Sequence, residues 1–276
     1  MSAAAPEIRV PRLDAVGTVT QARVALSEWT KLHSLRSTRW SLLVATVLTI
    51  GFPLLFATLI GSHWSHMNAH ERADRHPLDV ALAGVNVSQL AIAVLGVLVI
   101  TGEYSTGMIR ASFTAVPKRL PVLWAKMGVY ATVTFVLMLP SVAIAFFASQ
   151  AILARHHILQ ISFSHGGVSR SVAGGALYLT LLAVLALAIG AIVRNTAGGI
   201  ATFAAIFFVV PPLLNVLPSS WNDAVSPYLP DSAGRSIFSL THGAHSLAPW
   251  PGLALFCGYT ALAVAIAAVL LVRRDT

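Results

Sequence analysis

Residues 81–100 read ALAGVNVSQLAIAVLGVLVI, and residues 101–119 read TGEYSTGMIRASFTAVPKR. The first run is apolar and has the length of roughly 20 residues that a helix needs to cross a bilayer. The second run is polar at its start, basic at its end, and carries apolar residues at helical spacing. A plain loop between two membrane helices does not need that pattern. We therefore expect a membrane span followed by a short amphipathic helix.

The whole chain has the composition of a membrane protein. Of its 276 residues, 56% are hydrophobic and only 10% are charged, whereas a soluble domain has roughly 25% charged residues. The sequence therefore predicts an all-α polytopic fold with six transmembrane helices in a domain of residues 40–276. The predicted spans are residues 40–60, 81–100, 122–148, 172–193, 198–217 and 252–272.

The basic residues indicate on which side of the membrane the chain ends lie. Thirteen of the 18 lysines and arginines fall in the amino-terminal segment, the second and fourth loops, the foot of the third span and the tail. Because cytoplasmic loops carry an excess of basic residues, both termini are predicted to be cytoplasmic. In a protein that spans a lipid bilayer, basic cytoplasmic loops account for the net charge of +8, and no nucleic-acid partner is needed to explain it.

The segment before the first span divides into two parts. Residues 1–17 are rich in Ala and Pro, and we expect a disordered cytoplasmic tail. Residues 18–39 have the period of a basic amphipathic helix, which should lie along the membrane surface and also touch a partner. Its apolar arc includes Leu26, Trp29 and Leu32, while Lys31 faces away. The simpler alternative for this helix is a topology anchor.

Two prolines interrupt the fifth span. Pro211 and Pro212 each remove a backbone donor and clash with the preceding turn, so a straight helix should not continue through them. Residues 213–250 are moderately apolar and hold four more prolines. We expect this outer segment to form short re-entrant or surface helices, which survive at membrane depth only inside protein or facing water.

The motifs of common catalytic sites are missing from the sequence. It contains no G-x-x-x-x-G-K-[ST] phosphate loop, no G-x-S-x-G and no H-E-x-x-H. The sequence lacks the catalytic residues that an intramembrane protease or a lipid-modifying transferase would need, so no catalytic site is predicted. The spans also hold almost no ionisable groups, and we place Glu103 and Lys126 at their cytoplasmic ends.

Two groups of neutral residues leave alternatives open. Asn86, Gln89 and Asn215 could line a transport path, although polar residues in spans more often bond to a neighbouring helix. Small residues at Ala186 and Gly190 allow close helix packing, which we expect within the chain rather than at a dimer face.

The outer histidines are weak candidates for a metal site. His63, His66 and His70 are three and four residues apart, so two turns of a continuous helix would align them on one face. Imidazoles beside a carboxylate can bind zinc or copper. A metal-handling or sensor protein is therefore the alternative function, and a polar outer loop without metal is the simpler explanation.

Three segments resemble a known family. Residues 27–40 read SEWTKLHSLRSTRW, residues 102–110 read GEYSTGMIR, and residues 228–234 read YLPDSAG. Together with the six spans, they resemble the actinobacterial branch of the ABC-2 type transporter permeases. His33 and Met108 stand where that pattern has Arg and Thr, and both are mild departures.

The resemblance implies a permease subunit of an exporter in the bacterial plasma membrane. Two permease chains, identical or paralogous, would pair with two copies of a separate cytoplasmic ATPase, which binds ATP and Mg²⁺. This chain would itself hold no cofactor and catalyse no reaction. The substrate class is indicated by the residues instead: because the spans hold almost no charges, we expect a hydrophobic or amphiphilic substrate, such as an antibiotic, a natural product or a lipid-like molecule.

The resemblance also implies where the ATPase acts. The amino-terminal helix would be the interface helix, and residues 103–114 would form a coupling helix that sits in a groove of the ATPase. The residues implied in coupling are Glu103, Tyr104, Met108, Ile109, Arg110 and Phe113.

Overall fold

A computed structural model describes residues 20–73, 75–107, 119–158, 160–216, 218–240 and 246–273 of the chain. Within these ranges the fold is helical and contains no strand. The α-helices are α1 Gln21–Ser34, α2 Arg36–His63, α3 Ala69–Ala73, α4 Pro77–Ser105, α5 Arg119–Arg155, α6 Val168–Val193, α7 Thr196–Ala204, α8 Val210–Leu214, α9 Ser219–Val225, α10 Pro230–Arg235 and α11 Pro249–Arg273. Turns of 3₁₀-helix cover Trp64–His66 and Ser226–Tyr228, and a π-helix covers Ala205–Val209.

Six helical segments are long and apolar enough to cross a membrane, as expected of a multi-pass membrane protein. They are Arg36–His66, Pro77–Ser105, Leu120–Arg155, Val168–Val193, Thr196–Leu214 and Pro249–Arg273. The prediction of six helical spans is confirmed. Most of the helices are longer than predicted, because hydropathy marks the apolar part of a helix and not the polar turns that continue it.

Helix α6 lies at the centre of the bundle and packs against α4, α5 and α11. Its contact with α4 depends on small residues. A Cβ atom on Gly190 would lie 3.1 Å from the Val97 backbone, and one on Gly96 would lie 3.0 Å from the Ala186 side chain. Ala186 and Gly190 therefore serve packing within the chain, as predicted.

A proline inside α2 shapes its contact with α4. Pro53 has no N–H, so it cannot donate a helical hydrogen bond to the Thr49 carbonyl. Gly84 of α4 lies against that carbonyl, and a Cβ at position 84 would collide with both the Thr49 oxygen and the Pro53 ring. The two helices approach closely at this point because residue 84 has no side chain.

The fifth span consists of α7, the π-helix and α8. Helix α8 includes Pro211 and Pro212 in its first turn, where proline's missing N–H is tolerated. The π-helix Ala205–Val209 directly precedes α8, so the departure from regular α-helical hydrogen bonding lies in this segment. The span therefore continues past the prolines as an irregular helix, which agrees with the expectation that a straight helix would not run through them. Helices α9 and α10 are the short helices predicted for the following segment.

The predicted helix over residues 18–39 is divided in the structure. Helix α1 ends at Ser34, Leu35 is extended, and α2 begins at Arg36. Residues 36–39 therefore belong to the first spanning helix, which corrects the predicted boundary. The predicted tail, residues 1–17, lies outside the described residues.

Candidate coupling site

Four charged side chains meet where α1 contacts the bundle. Glu28 and Lys31 come from α1, Glu103 from the last turns of α4, and Lys126 from the first turns of α5. We call these four residues the charge ring. It joins three helices, and its two carboxylates and two ammonium groups give it no net charge.

Each ammonium group of the charge ring contacts both carboxylates. Lys126 Nζ lies 2.5 Å from Glu28 Oε2 and 2.9 Å from Glu103 Oε1. Lys31 Nζ lies 2.7 Å from Glu28 Oε1 and 3.0 Å from Glu103 Oε1. The second oxygen of Glu103, Oε2, is buried and has no hydrogen-bond donor within the described parts of the chain.

The charge ring is largely shielded from solvent. The exposed fraction is 4% for the Lys126 and Glu28 side chains, 10% for Glu103 and 24% for Lys31. Burial by itself lowers the pKa of Lys31, but the hydrogen bonds and charges of Glu28 and Glu103 outweigh it, and the pKa is raised. Removing one partner of such a buried set leaves an uncompensated charge, which is strongly destabilising.

Helix α1 turns a different face toward the bundle than the sequence predicted. Val24, Glu28 and Leu32 form its buried stripe, whereas Leu26 is 65% exposed and Trp29 is 43% exposed. Lys31, predicted to face away from the apolar arc, belongs to the charge ring. The apolar arc is therefore divided: Leu32 contacts the bundle, whereas Leu26 and Trp29 face away from it. The division arises because ion pairs with α4 and α5 set the rotation of the helix about its axis.

The carboxyl end of α4 is also tied to the turn between α6 and α7. The guanidinium of Arg194 lies 5.2 Å from the centre of the Tyr104 ring, within cation–π distance. Thr196 Oγ1 donates to Thr101 Oγ1 at 2.8 Å, and Arg194 also donates to the Leu270 carbonyl of α11 at 3.2 Å. The last turn of α4 therefore contacts α1 and α5 on one side and the α6–α7 turn on the other.

The implied coupling residues are described only in part. Glu103 and Tyr104 take part in the two sets of contacts above. Met108, Ile109, Arg110 and Phe113 lie outside the described residues. The charge ring nevertheless flanks this segment in the sequence, because Glu103 precedes it and Lys126 follows it.

Sequence reasoning missed Glu28 and the pairing of Lys126. The spacing of Glu28 and Lys31, three residues apart in a helix, was a usable sign of one ion pair. The contact between Glu28 and Lys126 joins positions 98 residues apart. No local pattern marks a contact of that separation.

A second polar cluster lies in the half of the bundle away from α1. Tyr178 Oη lies 2.5 Å from Gln89 Oε1 and 3.4 Å from Asp231 Oδ1, and Arg235 Nε donates to the same Asp231 oxygen at 2.9 Å. We call Gln89, Tyr178, Asp231 and Arg235 the tyrosine cluster. Burial raises the pKa of Asp231, and the nearby guanidinium of Arg235 offsets this only in part.

The predicted path residues are not brought together. Gln89 is fully buried in the tyrosine cluster, and Asn86 is half-buried on the same helix. Asn215 is exposed at the end of the fifth span, where it accepts a hydrogen bond from Asn222 at 3.4 Å. In this conformation Gln89 accepts a hydrogen bond from one neighbouring helix, α6, which is an alternative that the sequence left open.

The three histidines do not share one helical face. His63 ends α2, His66 lies in the 3₁₀ turn and His70 lies in α3, so the predicted alignment is wrong. Among the described residues, no group of three or more His, Cys, Asp or Glu side chains could hold a metal ion.

Comparison with known proteins leaves the chain without an assigned family. No protein-family model matches the sequence, and no curated protein matches it.

Proposed function

We propose that this chain is the permease subunit of an ATP-driven exporter of the ABC-2 type, which works with a separate cytoplasmic ATPase. The observation that supports this most directly is the charge ring. It fastens α1 to the two helix ends that flank residues 108–118, the segment in which a coupling helix is implied. Helix α1 is therefore joined to the ends of α4 and α5 that border this segment in the sequence.

The contacts of α4 offer a route for movement into the spans. Closure of an ATPase dimer would displace α1 and the coupling segment together through the charge ring. Tyr104 and Thr101 would pass the displacement to Arg194 and Thr196, and Arg194 would pass it to α11 through Leu270. An ATPase can drive export in this way only if its closed state favours one arrangement of the spans over another.

The partners and location follow from the same proposal. The excess of basic residues in the amino-terminal segment, the second and fourth loops and the tail supports a cytoplasmic location for both termini in a bacterial cell. Two permease chains, identical or paralogous, would assemble with two ATPase subunits in the plasma membrane. The fifth span has the smallest buried share of the six, since the rest of the chain buries only 17% of its most apolar stretch. This span therefore suits contact with the second permease. A hydrophobic or amphiphilic substrate would pass between the two chains.

The experiment is to reconstitute the chain with an ATPase that co-purifies with it and to measure ATP hydrolysis and export together. Phe113→Asp should leave insertion and stability unchanged but lower stimulated hydrolysis and export by more than about tenfold, because loss of an apolar anchor at an interface typically costs about 2 kcal/mol or more. Phe163→Asp is the matched control, since Phe163 is 43% exposed in the loop before α6. Unchanged hydrolysis and export in Phe113→Asp would show that the coupling assignment is wrong.

A further inference from the structure

A cavity of about 310 Å³ lies beside the charge ring, between α1, the start of α2 and the last turns of α4. Its walls are mostly apolar and include Leu32, Leu35, Leu95, Leu98 and Val99. All four side chains of the charge ring also line it. The volume is at the lower end of the range for small-molecule sites, so it suits one slender ligand.

The polar and apolar parts of the cavity are separated along α4. Leu95 and Glu103 lie eight residues apart on this helix, which corresponds to about 12 Å along its axis. Leu95, Leu98 and Val99 belong to the apolar part of a membrane-spanning helix, whereas Glu103 lies near its end. A ligand filling the cavity would therefore have a polar head beside the charge ring and an aliphatic chain at the depth of the lipid tails.

The hydrogen bonds of the charge ring favour a ligand that donates. Lys31 and Lys126 each already donate to both carboxylates. Glu103 Oε2 is an acceptor that has no donor within the described chain. A ligand ammonium group could donate to this oxygen, whereas a ligand carboxylate or phosphate would bring a third anionic group next to Glu28 and Glu103.

We propose that this cavity binds an aliphatic chain with an ammonium head, with the head at Glu103 and the chain along Leu95 and Leu98. If the exporter function holds, the cavity collects cationic amphiphilic cargo from the cytoplasmic leaflet. That role rests on the proposed function, but the binding itself does not.

Photolabelling tests the head-group preference directly. The full chain, in phosphatidylcholine nanodiscs and without any ATPase, is labelled with diazirine analogues of dodecylamine and of dodecanoic acid. Labelled peptides are located by mass spectrometry. The amine should label residues 95–103 about tenfold more than the acid, since a hydrogen bond to a charged group contributes about 1.5 kcal/mol or more. Equal labelling, or a preference for the acid, would overturn the proposal.

A pair of tryptophan variants tests the location. Leu98→Trp fills the cavity and should lower amine labelling of residues 95–103 by about tenfold. Leu90→Trp is the matched control, because Leu90 lies on the same helix, is 45% exposed and does not line the cavity. Thermal unfolding of both variants checks that they fold. Wild-type labelling in a folded Leu98→Trp protein contradicts the assigned site.

Two further measurements address the head and its source. Glu103→Gln should remove the preference for amine over acid, while Leu98→Trp should lower labelling by both probes. Amine labelling that falls when phosphatidylethanolamine is added supports a bilayer lipid as the ammonium source, and labelling that persists supports a foreign amphiphile. Because no ATPase is present, a negative binding result leaves the exporter assignment standing, and a failure of ATPase stimulation leaves the binding site standing.

Discussion

The charge ring and the tyrosine cluster are both buried and both join helices that are distant in the sequence, but they balance charge differently. The charge ring holds four formal charges, and each ammonium group contacts both carboxylates. The tyrosine cluster holds a single ion pair, Asp231 with Arg235, and extends it through the phenol of Tyr178 to the neutral amide of Gln89.

This difference decides what each cluster does mechanically. Removing one member of the charge ring leaves a net charge in a buried place, so the ring holds its three helices together as a unit. Removing the phenol of the tyrosine cluster costs hydrogen bonds without creating a charge. The stiffer connection lies beside α1, at the helix ends that border residues 108–118 in the sequence. The softer one holds α10, which packs against the irregular π-helix Ala205–Val209.

The largest expected effect is that of Lys126→Met. This change keeps most of the apolar side chain but leaves two buried carboxylates with one lysine, so the free energy of unfolding should fall by about 3–5 kcal/mol. Chemical unfolding in detergent measures it. Arg155→Met, at the exposed far end of the same helix, is the control and should remain close to wild type.

A second substitution shows whether the loss arises from charge balance. Glu28→Gln added to Lys126→Met restores neutrality, because only the opposite charges of Lys31 and Glu103 then remain in the ring. Part of the lost free energy should therefore return. If the two substitutions simply add, the ring does not act as a unit and the comparison between the clusters fails.

Lys31→Met should have a smaller effect than Lys126→Met. Lys31 is the most exposed member of the ring, and Lys126 continues to contact both carboxylates without it. We expect amide hydrogen exchange in α1 to accelerate by about tenfold, which corresponds to about 1.4 kcal/mol, while exchange in α6 stays unchanged. Equal acceleration in both helices would mean that Lys31 stabilises the whole bundle rather than the docking of α1.

The sequence predicted the spans well because each span is a local property. An apolar run such as residues 81–100 has the length and composition that fix it as a spanning helix whatever surrounds it. The rotation of α1 is different, because it depends on partners in α4 and α5. Apolar periodicity placed Leu26 and Trp29 on one arc, yet Glu28 is the residue that the bundle buries.

Two further features depend on packing in the same way. A proline can end a helix or begin one, and the π-helix before Pro211 allows α8 to begin there, which only the three-dimensional packing decides. The sequence left open whether Gln89 lines a transport path or bonds to a neighbouring helix. Its partner Tyr178 lies 89 residues away, so the hydrogen bond that satisfies it could not be seen in the sequence.

Tyr178→Phe probes the tyrosine cluster with a moderate expected effect. The change removes one hydroxyl that contacts both Gln89 and Asp231, and it should lower the free energy of unfolding by about 1–3 kcal/mol. Tyr259→Phe is a matched control, since its hydroxyl donates to the Tyr228 carbonyl at an exposed site and should matter less. A loss as large as that of Lys126→Met would remove the distinction between the two clusters.

Asp231→Asn has the smallest expected effect, which is detected as a change in how the stability depends on pH. Because burial raises the pKa of Asp231, the native carboxyl binds its proton more tightly than the unfolded one does. As pH rises from the unfolded pKa of about 4 to the native pKa, the unfolded state therefore gives up this proton first and the native state loses stability.

The asparagine variant cannot titrate at this position. The unfolding temperature of the wild type, minus that of Asp231→Asn, should therefore fall with rising pH across this window and stay level above it. Subtracting the variant removes the contribution of the other carboxyl groups. A difference that rises with pH would mean that Arg235 outweighs burial, and the tyrosine cluster would then be held by its ion pair, as the charge ring is.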